Sequence, residues 1–214
     1  MEKIEHLAKR LVQKDILFPT IKTKNQTVTG LAGWNPEECL QLYKKGFDTN
    51  NIVLVDIEPK PYTFVIQSKI EDLPATPIMD CDYCASIFTS GESFAKVYTK
   101  MCELPKNIEK TLLFTFSVRA CPGRGVYSTL TQTMECLNSI LYSGTLEITD
   151  FPTGFNSLTD ESKRRMRLYN SSMHGKIRSI WVNDIPHIQT KFKQSKLVRY
   201  ADGVPMLSGV VTWN

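Results

Sequence analysis

The chain has 214 residues, 42% hydrophobic and 22% charged, a composition that excludes a disordered polymer and is long enough to bury a substantial core. Its formal charge is only +4, yet ten Lys/Arg stand against three acids over residues 160–200 and six against three over residues 1–24, so the remainder is net acidic. No run of 18 apolar residues occurs, and charged residues rather than an apolar leader follow Met1, so the six cysteines are expected as reduced thiols in an intracellular protein.

Residues 2–14, "EKIEHLAKRLVQK", put Ile4, Leu7, Leu11 and Val12 on one side at helical spacing, which predicts an amphipathic helix ended before Pro19. In "GWNPEECLQLYKKGF" Asn35 suits a cap, Pro36 the first helical position, Glu37 and Glu38 the positive end of the dipole, and Gly46 the terminus. From residue 51 the period shortens. The runs 52–57 and 62–70 read as strands on either side of Pro59 and Pro61. A third helix is predicted over 91–103, with Ser90 as its cap and Phe94, Val97, Tyr98 and Met101 on one stripe. "EKTLLFTFSVRA", "GVYSTLTQTMECL" and "ILYSGTLEIT" read as three further strands. A fourth helix is predicted in "NSLTDESKRRMRLYNSSM", where Ser157 with Asp160 resembles a capping box, and strands return at 176–182 and 207–213. The expected fold is therefore α+β: an N-terminal helical segment, residues 1–50, and a β-rich domain, residues 51–214, with a central antiparallel sheet and about four helices inserted between strands and at the N-terminus.

Local motifs for catalysis are missing. "CPGR", residues 121–124, fits a type II turn between two strands; a phosphate-cradling loop would be followed by a helix, whereas "GVYSTLTQT" is rich in β-branched residues. Cys121 has no recognisable base beside it among His6, His174 and His187. Cys81 and Cys84 have the spacing of half a zinc site but no second tight pair, so the bland reading is two ordinary thiols at a loop-to-helix junction. Asp80 with Asp82, and Asp160 with Glu161, suit helix starts, where the dipole favours them. What stands out is electrostatic. Lys163, Arg164 and Arg167 share a predicted helix face, with Arg165, Lys176 and Arg178 nearby, and this set forms a candidate surface for anionic lipid or RNA.

The order of elements from "YTFVIQSKIE" through "TLLFTF", "VRACPGRGVY", "YSGTLEIT" and the basic "TDESKRRM" to "SGVVTW" resembles rhabdovirus matrix proteins over roughly residues 60–213. The resemblance implies a non-enzymatic viral structural protein of the host cytoplasm and virion. Such a protein self-associates into a homo-oligomer and binds an anionic membrane or a nucleocapsid, with no cofactor and no small-molecule substrate. The chain departs from that family in having no P-P-x-Y motif and a helical rather than a lysine-rich disordered N-terminus. An RNA-binding or movement-type accessory protein, with Tyr169 and Trp181 for base stacking, is the alternative; a thiol or zinc enzyme centred on Cys81, Cys84 or Cys121 is the third reading.

Overall fold

In a computed structural model the described residues are 7–118, 133–134, 136–141, 181–183, 192–202 and 204–214, and every structural statement below refers to them. Helix α1 (Leu7–Leu11) continues into a wider π-helical stretch, Val12–Leu17, and a 3-10 turn, Phe18–Thr20. Then follow β1 (Val28–Leu31), α2 (Pro36–Lys44), β2 (Ile52–Asp56), β3 (Val65–Gln67), β4 (Ile78–Asp82), α3 (Ile87–Glu103) and β5 (Lys110–Ser117). Residues 133–134 and 136–141 are helical, and β6 (Trp181–Asn183), β7 (Gln194–Asp202) and β8 (Val204–Trp213) complete the order.

The eight strands make one sheet in the order β3-β2-β1-β4-β5-β8-β7-β6. Pairing is parallel from β3 through β5 and antiparallel from β5 through β6. The α+β expectation holds, but the sheet is antiparallel only in its second half. The reason is the connections: α2 and α3 each carry the chain back across the sheet, so that the next strand runs in the same direction as the last.

Both faces are covered. On one, Met79, Cys81, Leu112, Phe114 and Phe116 pack against Ile87, Phe94, Val97, Tyr98 and Met101 of α3 and against Leu137 and Ile140. On the other, Val28, Leu54, Ile78, Leu113 and Val210 meet Val12, Leu17 and Phe18, with Tyr43 stacked on Phe18 and Phe47 edge-on to both. All eight residues of β5 are buried, as befits a strand covered on both faces.

The well-punctuated helices hold. The Glu38 N–H donates to the Asn35 side chain at 3.4 Å, Pro36 opens α2, and the predicted stripe of α3 is buried. Several expectations are corrected. Strand β1 lies inside the stretch read as an N-terminal helical segment, and it pairs with β2 and β4 near the centre of the sheet, so residue 50 is not a boundary. Helix α3 starts at Ile87, before Ser90, whose N–H is already bonded to the Ser86 carbonyl. Residues 133–134, 136–137 and 140–141, read as strand, are helical, with 138–139 between them, because apolar side chains of this stretch pack onto α3, where the Tyr98 hydroxyl donates to the Leu141 carbonyl at 2.8 Å. The 62–70 strand shrinks to Val65–Gln67, and β7 appears where only a basic cluster was read. The "CPGR" turn, most of the 140–149 strand and the helix within 157–173 lie outside the described residues.

Candidate functional site

In an open sheet of this kind the strand order reverses at one point, and the crevice beyond the C-terminal strand ends there is the usual ligand site. Here the reversal lies between β1 and β4. From β1 the chain goes through α2 to β2 on one side, whereas β4 leads through α3 to β5 on the other. Side chains at the C-terminal ends of β1, β2 and β4 therefore define the candidate site.

At the end of β1 the backbone is bare. Gly33 has a φ of +65° and open space where a side chain would begin, a conformation that favours glycine. Gly30 is needed for a different reason: a Cβ there would lie 2.6 Å from the Tyr43 hydroxyl and 3.4 Å from the Asp80 Cβ. The Ala32 N–H donates to the Val55 carbonyl at 2.8 Å, tying the loop to β2. Trp34 then stands 92% exposed, with the Lys60 ammonium 5.9 Å from its ring centroid.

At the end of β2, the Asp56 carboxylate accepts from the Glu58 N–H at 2.9 Å and pairs with Lys60 at 3.2 Å. At the end of β4, alternation puts Asp80 and Asp82 on the face shared with α1 and α2, and Cys81 on the face shared with α3. Lys9, reaching in from α1, pairs with Asp82 at 2.8 Å and donates to Cys84 Sγ at 3.1 Å; Gln13 donates to Asp82 at 3.3 Å. Cys84 has a φ of +51°, which marks a constrained backbone directly beside this ion pair. Arg10 bridges Glu38 at 2.9 Å and Cys39 Sγ at 3.6 Å. Asp80 accepts a hydrogen bond from the Tyr43 hydroxyl.

The two carboxylates titrate apart. Burial, then the neighbouring Asp82 charge, push Asp80 up to about 7 against the opposing Tyr43 hydrogen bond. Burial also acts to raise Asp82, but Lys9 outweighs it and holds Asp82 below the ordinary carboxylate range. For Lys9, burial lowers the pKa and Asp82 and Cys84 more than restore it, so the ammonium stays charged. Burial and Asp82 push the Cys84 thiol up to about 12, and burial raises Cys81 well above its usual value.

Cys81 and Cys84 do not converge, since they serve opposite faces of the sheet, and among the described residues no group of three or more His, Cys, Asp or Glu could hold a metal ion. Asp80 and Asp82 are strand residues, not a helix start, because each closes a hydrogen-bonded register with β5. Lys163, Arg164, Arg165, Arg167, Lys176 and Arg178 lie outside the described residues, as does Cys121. The site residues Lys9, Gly30, Gly33, Trp34 and Asp56 were not singled out from the sequence, and Asp82 was read there only as one of a pair at a helix start. Two signals point to them: two glycines between an apolar run and a capped helix, and an acid closing the next strand 23 residues after Gly33.

No family model matches the chain, and no curated protein matches it. Among solved structures, the crystal structure of the PH0226 protein from Pyrococcus horikoshii OT3 is similar over 97% of this chain and 91% of that one, at 11% identity and a TM-score of 0.42, a likeness too distant to build on.

Proposed function

We propose that this chain is an enzyme that binds S-adenosylmethionine in the crevice between β1 and β4 and transfers its methyl group to an acceptor beside Lys9 and Asp82. The observation that carries the reading is the strand order. The half β3-β2-β1-β4-β5 with its reversal at β1/β4 is the dinucleotide-type arrangement, and the antiparallel β8 inserted between β5 and β7 is the variation found in Rossmann-like methyltransferases. One fold hosts many chemistries, so the residues of the crevice carry the choice among them.

The site favours a cationic adenosyl ligand over a pyrophosphate. A pyrophosphate needs free N–H groups and positive potential at the helix following β1. At α2 Pro36 has no N–H, Asn35 already occupies the Glu38 N–H, and Glu37 and Glu38 place two carboxylates in the first turn. A ligand bearing a sulfonium and an ammonium group suits that potential. In this reading the bare backbone at Gly33 admits the ligand, Trp34 supplies an apolar face for the adenine, and Asp56 is placed for ribose hydroxyls. When bound, such a cofactor supplies an electrophilic methyl group. The chain's own contribution is a charged Lys9, fixed by Asp82, that orients the acceptor and favours its deprotonated form before the methyl group passes to it and the thioether of S-adenosylhomocysteine departs.

The non-enzymatic reading comes from the resemblance to matrix proteins together with the lack of local motifs, and a site assembled from strand ends leaves no such motif. Calorimetric titration of the full chain with S-adenosylmethionine, S-adenosylhomocysteine, NAD and ATP tests the proposal. The two adenosyl ligands are expected to bind with Kd below about 1 mM and Asp56→Ala to weaken them about tenfold or more. Preference for NAD or ATP, or no binding of any of the four, overturns it. The matrix-type reading, which concerns the basic set outside the described residues, has its own arm: salt-sensitive pelleting with phosphatidylserine vesicles, not displaced by single-stranded RNA, in a protein that ignores adenosyl ligands.

A further inference from the structure

Asp80 sits beside the crevice without taking part in the ion pair. It is 4% exposed, it pairs with Gly30 across the parallel β1/β4 register, and its carboxylate accepts the Tyr43 hydroxyl from α2. Two residues on, Asp82 lies on the same face, and the Lys9 ammonium contacts Asp82. Arg10 is committed to Glu38 and Cys39. Among the described residues, one buried carboxylate is thus neutralised by a cation in contact, and its neighbour is in contact with a phenol. Two carboxylates this close, with a single cation in contact, do not both ionise readily in a site out of water.

The same contact is mechanical. Tyr43 stacks on Phe18 and meets Phe47 edge-on, so the far end of α2 is fastened through its hydroxyl to β4. Gly30 lacks the Cβ that would fill the space taken by that hydroxyl. The strand leading into the Gly33 loop, the helix leaving it and β4 therefore meet at one buried hydrogen bond.

We propose that Asp80 and Tyr43 form a proton-linked latch beneath the glycine loop: Asp80 holds a proton while the crevice is empty, and a cationic ligand entering between β1 and β4 expels it. The second half of this proposal rests on the adenosyl reading above; the first half does not. Asp80 is a positioning residue here, acting through Tyr43 on the loop, and the groups that face it are Asp82 on β4, Tyr43 on α2, and Lys9 and Arg10 from α1. A carboxyl that keeps its proton in the fold but loses it on unfolding makes the protein less stable as pH rises from about 4 to about 7, and the effect levels off above that.

The experiment has two arms on the full chain. Thermal unfolding of wild type, Asp80→Asn and Tyr43→Phe is followed from pH 5 to 9, and binding of S-adenosylmethionine is measured at pH 6 in two buffers of different ionisation enthalpy. Asp80→Asn is expected to gain Tm relative to wild type as pH rises to about 7, and wild type to release a fraction of a proton approaching one per ligand bound, which Asp80→Asn does not release. Tyr43→Phe keeps the ring packing and removes the hydroxyl that opposes protonation of Asp80, so its stability is expected to go on falling with pH beyond the point where wild type levels off, while its ligand affinity falls; that pH-dependent difference from wild type serves if Asp80→Asn does not fold. A wild-type-minus-variant difference that is flat from pH 5 to 9 overturns the latch whatever the ligand does. If the difference follows pH as expected and no adenosyl ligand binds, the protonated Asp80 is upheld and the adenosyl reading fails instead, taking with it the ligand-driven half of the proposal. Binding without proton release in wild type overturns that half alone.

Discussion

At Lys9 the penalty of burial and the gain from pairing are both large, and Asp82 supplies the largest share of the gain. Its side chain is 8% exposed and that of Asp82 9%, with 2.8 Å between the charged atoms. Removing one member strands the other, at a typical cost of about 3–5 kcal/mol, whereas an apolar pair of similar volume is close to neutral. Lys9→Met is therefore expected to lower unfolding stability by an amount in that range, and Lys9→Met with Asp82→Leu to recover much of it, as read from urea denaturation. A double variant no better than the single would show that the pair contributes through more than its charges. The pH window follows from the two directions. The depressed Asp82 contributes stability that is present at neutral pH and lost as pH falls below the ordinary carboxylate range, and the raised Lys9 contributes stability lost only at strongly alkaline pH. The thiols give a second residue-scale expectation. Cys84 is pushed up to about 12, chiefly by burial and then by Asp82, so iodoacetamide at pH 7.5 should modify exposed Cys102 well before Cys84, Cys81 or Cys136, as judged by peptide mass spectrometry. Rapid labelling of Cys84 would revive the thiol-enzyme reading.

Elements were legible where their signals were local. Asn35-Pro36-Glu37-Glu38 announces α2 because every one of those residues answers a need of the helix terminus itself, and the Phe94, Val97, Tyr98, Met101 stripe announces α3 because period alone selects a buried face. Strand β4 was missed because its polar residues are buried. "IMDCD" alternates Ile78, Asp80 and Asp82 on one face with Met79 and Cys81 on the other, and the acids belong inside only because Tyr43 and Lys9 arrive from elsewhere in the chain. Residues 133–134 and 136–137 failed in the opposite sense: β-branched neighbours suggested a strand, and packing on α3 decided for a helix. The β7/β8 pair depends on a close approach. A Cβ on Gly209 would come within 2.3 Å of the Phe114 ring and 2.9 Å of the Lys196 carbonyl oxygen; the ring can turn, but a backbone carbonyl in the neighbouring strand cannot. Gly209→Ala is expected to cost about 1–3 kcal/mol, a fall in Tm of roughly 2–12 °C by calorimetry.

For the molecule as a whole, the sequence carried the class of fold but not the order of its strands. Strand direction depends on which connections cross the sheet, and strand neighbours on pairings between distant segments, neither of which leaves a mark on any short window of residues. The candidate site inherits that difficulty: Gly33, Asp56 and Asp82 become neighbours only once β1 is known to lie between β2 and β4. The pairing of β5 with β8 has a further consequence for synthesis on the ribosome. The strand with all eight residues buried in the finished sheet, Lys110–Ser117, waits for its second neighbour until Val204 and the residues after it have emerged, 87 positions after Ser117. At roughly 5–20 residues per second, that is on the order of 4–17 s during which one hydrogen-bonding edge of β5 stands open to nascent chains and to chaperones.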